Sequence, residues 1–271
     1  MHTAGLPKLT DNDFRCLQQM MLQASGIRMT DTKRTMMAGR LMGRLRALQL
    51  NSYAEYIQII NNPAEQDERR LVIDLLTTNE TYFFREPQHF QLLGEWLGKQ
   101  RRPIHMWSAA SSSGQEAFTM AMVAAQSSRS PDWSIFASDL SRRVLDTARR
   151  GTYPMEQADN FPPGWLKRHC LRGVEDSEGL FRMSQELRHR VTFAEINLMR
   201  PLPNGVGPFD VIFLRNVLIY FAQEEKRAIT QRLVERLNPG GLLFIGHAES
   251  LHGFNLPLRA LRPSVFERLE K

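Results

Sequence analysis

Residues 104–118, IHMWSAASSSGQEAF, constrain the fold more than any other part of the chain. They begin as a short apolar strand, continue through small residues at 109–114, and end in a helix that carries Phe118 and Met122 on one face. A strand that enters a helix through such a turn builds a nucleotide crevice in α/β folds, with the ligand at the helix N-terminus. The loop does not match GxGxxG, so a corner without a ligand explains it about as well.

Two acidic residues lie where such a crevice would hold its ligand. Glu116 falls in the first turn of the helix, where a pyrophosphate would be disfavoured and a cationic ligand such as S-adenosylmethionine (SAM) would be favoured. Glu116 could instead only complement the helix dipole. Asp139 ends a predicted second strand, WSIFASD, and an acidic residue at that position can accept both hydroxyls of a ribose. The alternative for Asp139 is an N-cap of the next helix.

Composition narrows the class of protein. The 271 residues allow one large or two small domains, and the net charge of +6 makes an acidic partner plausible. No apolar run reaches the ~18 residues that span a bilayer, and no signal peptide opens the chain. Cys16 and Cys170 fit no metal-binding spacing. We therefore expect a cytoplasmic monomer without membrane insertion and without a metal site.

Residues 1–76 are predicted to be entirely helical. Thr10 begins a first helix that stops near Gly26, and a second runs over about 32–48. Ser52 and Glu55 form a capping box for a third helix, and Pro63 suits the first turn of a fourth that ends near residue 76.

The second helix carries an apolar stripe and a basic face beside it. The stripe consists of Met37, Leu41, Leu45 and Leu48, and the basic face consists of Lys33, Arg40 and Arg44. Residues 1–50 contain eight Lys or Arg and three Asp, so most of the net charge lies here. The face is either simply solvated or a docking surface for an acidic partner. Nucleic acid is disfavoured because no aromatic side chains are interleaved with the charges.

The second half of the chain predicts further strands of an α/β sheet. A turn-rich segment at 153–191 predicts a small β insertion, and strands follow at 191–197, 209–216, 242–250 and 264–269. The sequence NPGG at 238–241 is predicted to end a helix that begins near Gln223. Because open α/β sheets bind ligands at the carboxyl ends of their strands, we expect the polar residues there to line the site. They are Asp139, Asn197, Arg215 and Asn216.

Several segments together resemble the chemotaxis receptor methyltransferase (CheR) family. They are TTNETYFFRE, AASSSGQE, FASDLS, FDVIFLRNVLIYF and NPGGLLFIGHAES, and the resemblance covers nearly the whole chain. It implies an all-helical N-terminal domain (1–76), followed by a Rossmann-like class I SAM-dependent methyltransferase domain (77–271) of the α/β class. The β insertion, at 153–191, would be a small antiparallel subdomain.

The resemblance implies an enzyme that transfers a methyl group from SAM to glutamate side chains of bacterial chemoreceptors, leaving S-adenosylhomocysteine. The receptors' cytoplasmic methylation region would be the partner, docked on the basic face of the helical domain. One local departure is Gln115, where family members often have a second glutamate. The SAM-binding roles carried over fall on Asn79, Thr81, Arg85, Glu116, Asp139, Asn197, Leu198, Leu214, Arg215 and Asn216.

The chemistry requires no general base, because a glutamate side chain is already ionised at neutral pH and the leaving thioether is neutral. The enzyme must align the reactants and remove water. Arg85 and Tyr220 are the candidate catalytic residues, with core packing as the alternative role for Tyr220. Three other functions remain open: a nucleic-acid methyltransferase, a nicotinamide dehydrogenase, and a non-catalytic SAM-binding module.

Overall fold

A computed structural model describes residues 7–270 of the chain. Its internal contacts divide the chain into two units. The first comprises the residues up to Thr78 together with Tyr220–Ala222, and the second comprises Asn79–Ile219 and the chain from Gln223 onwards. Residues 77 and 78, which we expected to open the second domain, therefore group with the helical unit.

The first unit is helical. Thr10 caps the first helix with a complete capping box, and Ser52 caps the third, because both side chains accept a backbone N–H of the first turn. The fourth helix begins three residues later than expected, since residues 62–65 form a turn. The helices are α1 (Asp11–Ser25), α2 (Arg34–Ala47), preceded by a 3-10 turn at Asp31–Lys33, α3 (Tyr53–Asn61) and α4 (Gln66–Leu76).

Apolar side chains from all four helices form the core of this unit. Met37, Leu41 and Leu45 of the predicted stripe are buried. Leu48 is 36% exposed, because α2 ends at Ala47 and the fourth position of the stripe falls beyond the helix. Partners from α1 and α3 include Phe14, Leu17, Tyr53 and Tyr56.

The second unit is built on a seven-stranded mixed sheet with the strand order β6-β2-β1-β7-β8-β10-β9. The first five of these strands run parallel, and β10 pairs antiparallel with both β8 and β9. The strands are β1 (Ile104–Ala109), β2 (Trp133–Asp139), β6 (Val191–Glu195), β7 (Phe209–Leu214), β8 (Leu237–Ile245), β9 (Leu258–Arg262) and β10 (Val265–Arg268). Helix α5 (Pro87–Leu97) precedes β1, and the helices that follow β1, β2 and β7 are α6 (Gln115–Ser127), α7 (Arg142–Arg150) and α10 (Gln223–Glu235).

The β insertion is a separate three-stranded antiparallel sheet, as the sequence predicted. Its strands follow the order β3-β5-β4, and the buried side chains on them include Tyr153, Phe181 and Met183. The elements are β3 (Thr152–Pro154), α8 (Trp165–His169), β4 (Cys170–Arg172), β5 (Leu180–Met183) and α9 (Gln185–His189).

Two details of the second half were predicted wrongly. The NPGG sequence does not end a helix: α10 stops at Glu235, and residues 238–241 lie inside β8. There the register against β7 shifts between Phe209 and Val211, and Asn238 donates to Asp210, so the glycines bulge out of a continuing strand. The edge strand β9 was not predicted, because its short sequence, LRALR, does not alternate between apolar and polar residues.

Candidate functional site

The loop after β1 adopts a left-handed backbone three times. The φ angles are 70° at Ala110, 49° at Ser112 and 94° at Gly114. A Cβ atom at Gly114 would lie 2.8 Å from the Ala148 Cβ on α7 and 3.0 Å from the Tyr153 hydroxyl. Glycine is therefore needed for the packing of the loop against α7 as well as for the turn itself.

Asp139 holds this loop from the end of the neighbouring strand. One carboxylate oxygen accepts the backbone N–H of Ser112 at 2.9 Å, and the other accepts the N–H of Ser141 at 3.0 Å. The N-cap of α7 is Ser141, whose hydroxyl accepts the Val144 N–H, so the capping role considered for Asp139 belongs to Ser141. A carboxylate oxygen has two lone pairs, which leaves Asp139 able to accept ribose hydroxyls as well.

Asn79 approaches the same loop from the segment that precedes α5. Its backbone carbonyl accepts the Ser112 hydroxyl at 2.9 Å. The Asn79 side-chain amide nitrogen and the Ser111 hydroxyl are buried and have no hydrogen-bond partner among the described residues. Buried polar atoms without partners are rare in folded proteins, and here they fit a polar ligand at this edge of the sheet.

Arg215 is the electrostatic centre of the site. Its side chain is 1% exposed and pairs with Glu116 at 2.9 Å and with Glu86 at 3.0 Å, and it also donates to the Arg85 carbonyl. Glu116 accepts a further bond from Ser108 on β1 at 2.7 Å. Two carboxylates thus surround one guanidinium, which leaves the edge formed by β1 and β7 favourable for a cationic ligand.

The two carboxylates respond differently to burial. Burial raises the pKa of Glu116, and the Arg215 charge and the Ser108 hydrogen bond oppose that rise without cancelling it. Burial also acts to raise the pKa of Glu86, but hydrogen bonds from Asn216 and the charge of Arg215 outweigh it and lower the pKa to about 2. Glu86 is therefore ionised at neutral pH.

Glu86 also lies beside two histidines. One donor atom from each of Glu86, His89 and His247 lies within 4.8 Å of the others. This is a donor set that transition metals accept, but the carboxylate oxygen that faces both rings is already paired with Arg215. Burial, followed by the nearby charge of Arg215, lowers the pKa of His89 to about 4, so its ring is neutral at pH 7.

The remaining predicted SAM-binding residues follow the ends of strands or precede α5. Thr81 lies between Asn79 and the buried pair Phe83 and Phe84. Leu214 is the last residue of β7 and is fully buried, and Asn216 two residues later takes a left-handed φ of 57°. Beyond β6, the Asn197 side chain accepts the Met199 N–H at 2.9 Å, and the Leu198 carbonyl accepts from Arg232.

The two candidate catalytic residues differ in their surroundings. Arg85 is half-buried, donates to the Glu80 carbonyl at 2.9 Å, lies 5.7 Å from the Tyr82 ring centroid, and has no carboxylate partner among residues 7–270. Tyr220 is half-buried at the end of a 3-10 turn, Leu218–Tyr220, and its carbonyl accepts the Arg28 N–H at 3.2 Å. Tyr220 groups with the helical unit rather than with the sheet.

The predicted basic face on α2 is not a free surface. Arg40 donates to the carbonyls of Leu75, Leu76 and Thr77 at the end of α4. Arg44 forms a two-pronged ion pair with Glu68 at 2.9 and 2.6 Å. Only Lys33 of the three is exposed, so two of the three charges hold the helical unit together.

Sequence reasoning missed Glu86 and Glu249. Glu86 immediately precedes the proline that begins α5, and only the fold brings it to Arg215. Glu249 follows the end of β8, and the rule that polar residues collect at strand ends would have found it.

The fold and the site together define the class of protein. A seven-stranded sheet with this order, a small-residue turn between β1 and α6, an acid at the end of β2 and an acidic edge are the features of a SAM-dependent methyltransferase.

Comparison with known proteins identifies the family. Residues 79–264 match "CheR methyltransferase, SAM binding domain", and residues 12–77 match "CheR methyltransferase, all-alpha domain". The chain belongs to the CheR family of chemotaxis methyltransferases, with SAM as its cofactor.

Curated relatives are similar over most of their length. The chemotaxis protein methyltransferase of Escherichia coli (strain K12) is 41% identical over 244 residues, which cover 89% of this chain and 85% of that protein. Chemotaxis protein methyltransferase 2 of Pseudomonas aeruginosa is 38% identical over 95% of this chain and 93% of its own. Chemotaxis protein methyltransferase 1 of Vibrio cholerae is 33% identical over 97% of this chain and 98% of its own length.

No helix within residues 7–270 is both long enough and apolar enough to cross a bilayer.

Proposed function

We propose that this chain methylates glutamate side chains of chemoreceptors, forming glutamate methyl esters. The observation that carries the proposal is the contrast between two arginines at one edge of the sheet. Arg215 is paired with two carboxylates, whereas Arg85, whose carbonyl accepts from Arg215, has no carboxylate partner in the described chain. A guanidinium in that position suits the carboxylate of an incoming glutamate.

Different residues of the proposed site bind different parts of SAM. Asp139 accepts ribose hydroxyls, and the unpaired Asn79 amide and Ser111 hydroxyl bind further polar groups of the cofactor. Glu86 and Glu116, together with the Arg215 that joins them, provide the acidic edge for the cationic part. Thr81, Asn197, Leu198, Leu214 and Asn216 complete the proposed SAM site. SAM, when bound, supplies an electrophilic methyl group.

The protein's part in the reaction is alignment. Arg85 holds the glutamate carboxylate by charge-assisted hydrogen bonds. Tyr220 stays the second catalytic candidate that the sequence gives. A carboxylate needs no proton removed before it attacks, so the reaction requires no general base. His89, which is buried, neutral and hydrogen-bonded to Ser264 at 2.8 Å, is therefore not assigned that role.

The helical unit is proposed to dock the receptor. Relatives carry the name chemotaxis protein methyltransferase, and the glutamate-bearing region of a receptor is acidic. Lys33 is exposed and has no ion pair among the described residues, so it is the member of the predicted basic face best placed for a first electrostatic contact. Arg40 and Arg44 contribute by holding α2 against α4 and Glu68.

Methyl transfer to receptor-containing membranes tests the proposal. The protein is incubated with methyl-labelled SAM and the membranes, and the labelled product is treated with alkali. Methyl esters release their label as volatile methanol, whereas N-methyl groups do not. Label that stays on the protein after alkali, or that appears on RNA or DNA instead, contradicts the proposal.

A further inference from the structure

Glu249 joins two loops through their backbones. One of its carboxylate oxygens accepts the N–H groups of Leu218 at 2.6 Å and Ile219 at 3.3 Å, after β7. The other accepts the N–H groups of Asn216 at 3.0 Å and Gly246 at 2.7 Å. A carboxylate that collects four N–H groups fills an anion-binding nest with the chain's own side chain.

The approach is too close for any residue but glycine at position 246. A Cβ atom there would lie 2.5 Å from the Asn216 side-chain nitrogen and 2.9 Å from both the Asn216 backbone nitrogen and a Glu249 carboxylate oxygen. Asn216 in turn has a left-handed φ of 57°, which is uncommon outside glycine. The anchor therefore fixes a backbone conformation that the local sequence does not favour by itself.

Asn216 passes this constraint to the acidic edge of the site. Its side-chain amide donates to Glu86 at 3.1 Å, Glu86 pairs with Arg215 at 3.0 Å, and Arg215 pairs with Glu116. A continuous series of hydrogen bonds therefore runs from Glu249 to the first turn of α6. Glu249 itself makes no bond to Glu86, Arg215 or Glu116.

We propose that Glu249 is a positioning residue for the SAM site: it holds Asn216 in the left-handed conformation from which Asn216 orients Glu86 and Arg215. The inference rests on the SAM-binding role proposed above for Asn216. A purely structural role for Glu249 would change stability and leave the affinity of the site unchanged.

Binding of S-adenosylhomocysteine, measured by calorimetry, separates the two roles without any assay of turnover. The variants are Glu249→Gln, Asn216→Gly and the double variant, with thermal unfolding recorded for each. Glutamine keeps the size of the side chain but turns an NH2 group towards two N–H donors. Glycine removes the Asn216 side chain while tolerating the positive φ. Glu224→Gln, at an exposed position at the start of α10, is the matched control.

We expect each single variant to bind at least tenfold more weakly, and the double variant to bind no more than about threefold more weakly than the weaker single variant. Such non-additivity is expected of residues that act in series. Wild-type affinity in Glu249→Gln beside weakened Asn216→Gly overturns the positioning role alone. Wild-type affinity in Asn216→Gly overturns the proposed SAM role of Asn216, and the positioning role with it. Losses that add fully in the double variant also overturn the positioning role.

A measurement on the unaltered protein applies even if Glu249→Gln does not fold. In hydrogen exchange, the amides of Leu218 and Ile219 should exchange far more slowly than the amide of Asn204 in an exposed turn. Equal exchange rates at these positions would overturn the anchorage by Glu249.

Discussion

Arg215 and Glu116 form an ion pair of 2.9 Å at the carboxyl edge of the sheet, where the Arg215 side chain is 1% exposed and that of Glu116 is 13% exposed. Removing one partner of such a pair leaves the other charge buried without compensation. Each buried charge has a further partner, because Arg215 also pairs with Glu86 and Glu116 also accepts a hydrogen bond from Ser108. This buried ion pair makes the proposed SAM site part of the interior of the second unit.

Asp139→Asn should weaken SAM binding by about 1–3 kcal/mol, because the amide replaces an acceptor of ribose hydroxyls and of the Ser112 N–H with a donor. Calorimetry measures the affinity. Asp146→Asn, on the exposed side of α7, is the control and should bind normally. Unchanged affinity in Asp139→Asn would remove Asp139 from the site.

Arg85→Ala should reduce turnover by at least tenfold while changing the melting temperature little, because Arg85 has one hydrogen bond to a carbonyl and no ion pair in the described chain. Steady-state kinetics with receptor membranes and thermal unfolding give the two values. Arg101→Ala, an exposed arginine in the same unit, should leave both unchanged. Normal turnover in Arg85→Ala eliminates its catalytic role, and a parallel loss of stability indicates a structural one.

Arg44 on α2 is expected to stabilise the helical unit through its ion pair with Glu68. Arg44→Glu should destabilise the helical unit by about 1–3 kcal/mol, since Glu68, which also accepts a hydrogen bond from the Tyr56 hydroxyl, would then face a like charge. Denaturant unfolding measures this loss. Stability equal to that of the wild type would show that the Arg44–Glu68 pair contributes nothing.

Lys33→Glu should leave stability unchanged and slow receptor methylation, and added salt should slow the wild type towards the variant's rate. Initial rates at low and high ionic strength are the measurement, with SAM affinity as the control. Equal rates for Lys33→Glu and wild type at low salt would show that this position is only solvated.

His89 should make the protein less stable in mild acid. The folded-state pKa of His89, about 4, lies below the ordinary histidine pKa of 6.5, so the unfolded state binds more protons between these two values. The contribution of the neutral His89 to the free energy of unfolding is therefore complete above pH 6.5 and is lost progressively as the pH falls towards 4. His89→Asn should show a shallower fall in melting temperature over that window than the wild type. The exposed His252→Asn should follow the wild type, and identical slopes for all three would contradict the assignment.

Sequence patterns predicted the scaffold well where one physical rule acted locally. The capping signals at Thr10 and Ser52 and the strand–turn–helix at 104–118 fold as expected, because each is decided by neighbouring residues. The helix end predicted at NPGG was wrong, because pairing with β7 outweighs the local preference of glycine and proline for a turn.

Partners distant in sequence could not be predicted in the same way. Glu68 lies 24 residues from Arg44, and Glu86 lies 129 residues from Arg215, so helix geometry alone showed free charges where the fold makes pairs. Glu116 was predicted next to the ligand from its place in the first turn of α6, yet its counter-charge, Arg215, is revealed only by the sheet order.

Mass spectrometry can locate the transferred methyl group and so test whether glutamate side chains of the receptor are the acceptors. Receptor membranes are incubated with the protein and SAM carrying a deuterated methyl group, and receptor peptides are then fragmented. We expect the label on glutamate side-chain carboxyls, with much less of it when Arg85→Ala replaces the wild type. Label confined to lysine, arginine or cysteine side chains, or no receptor label beside normal SAM binding, would contradict it.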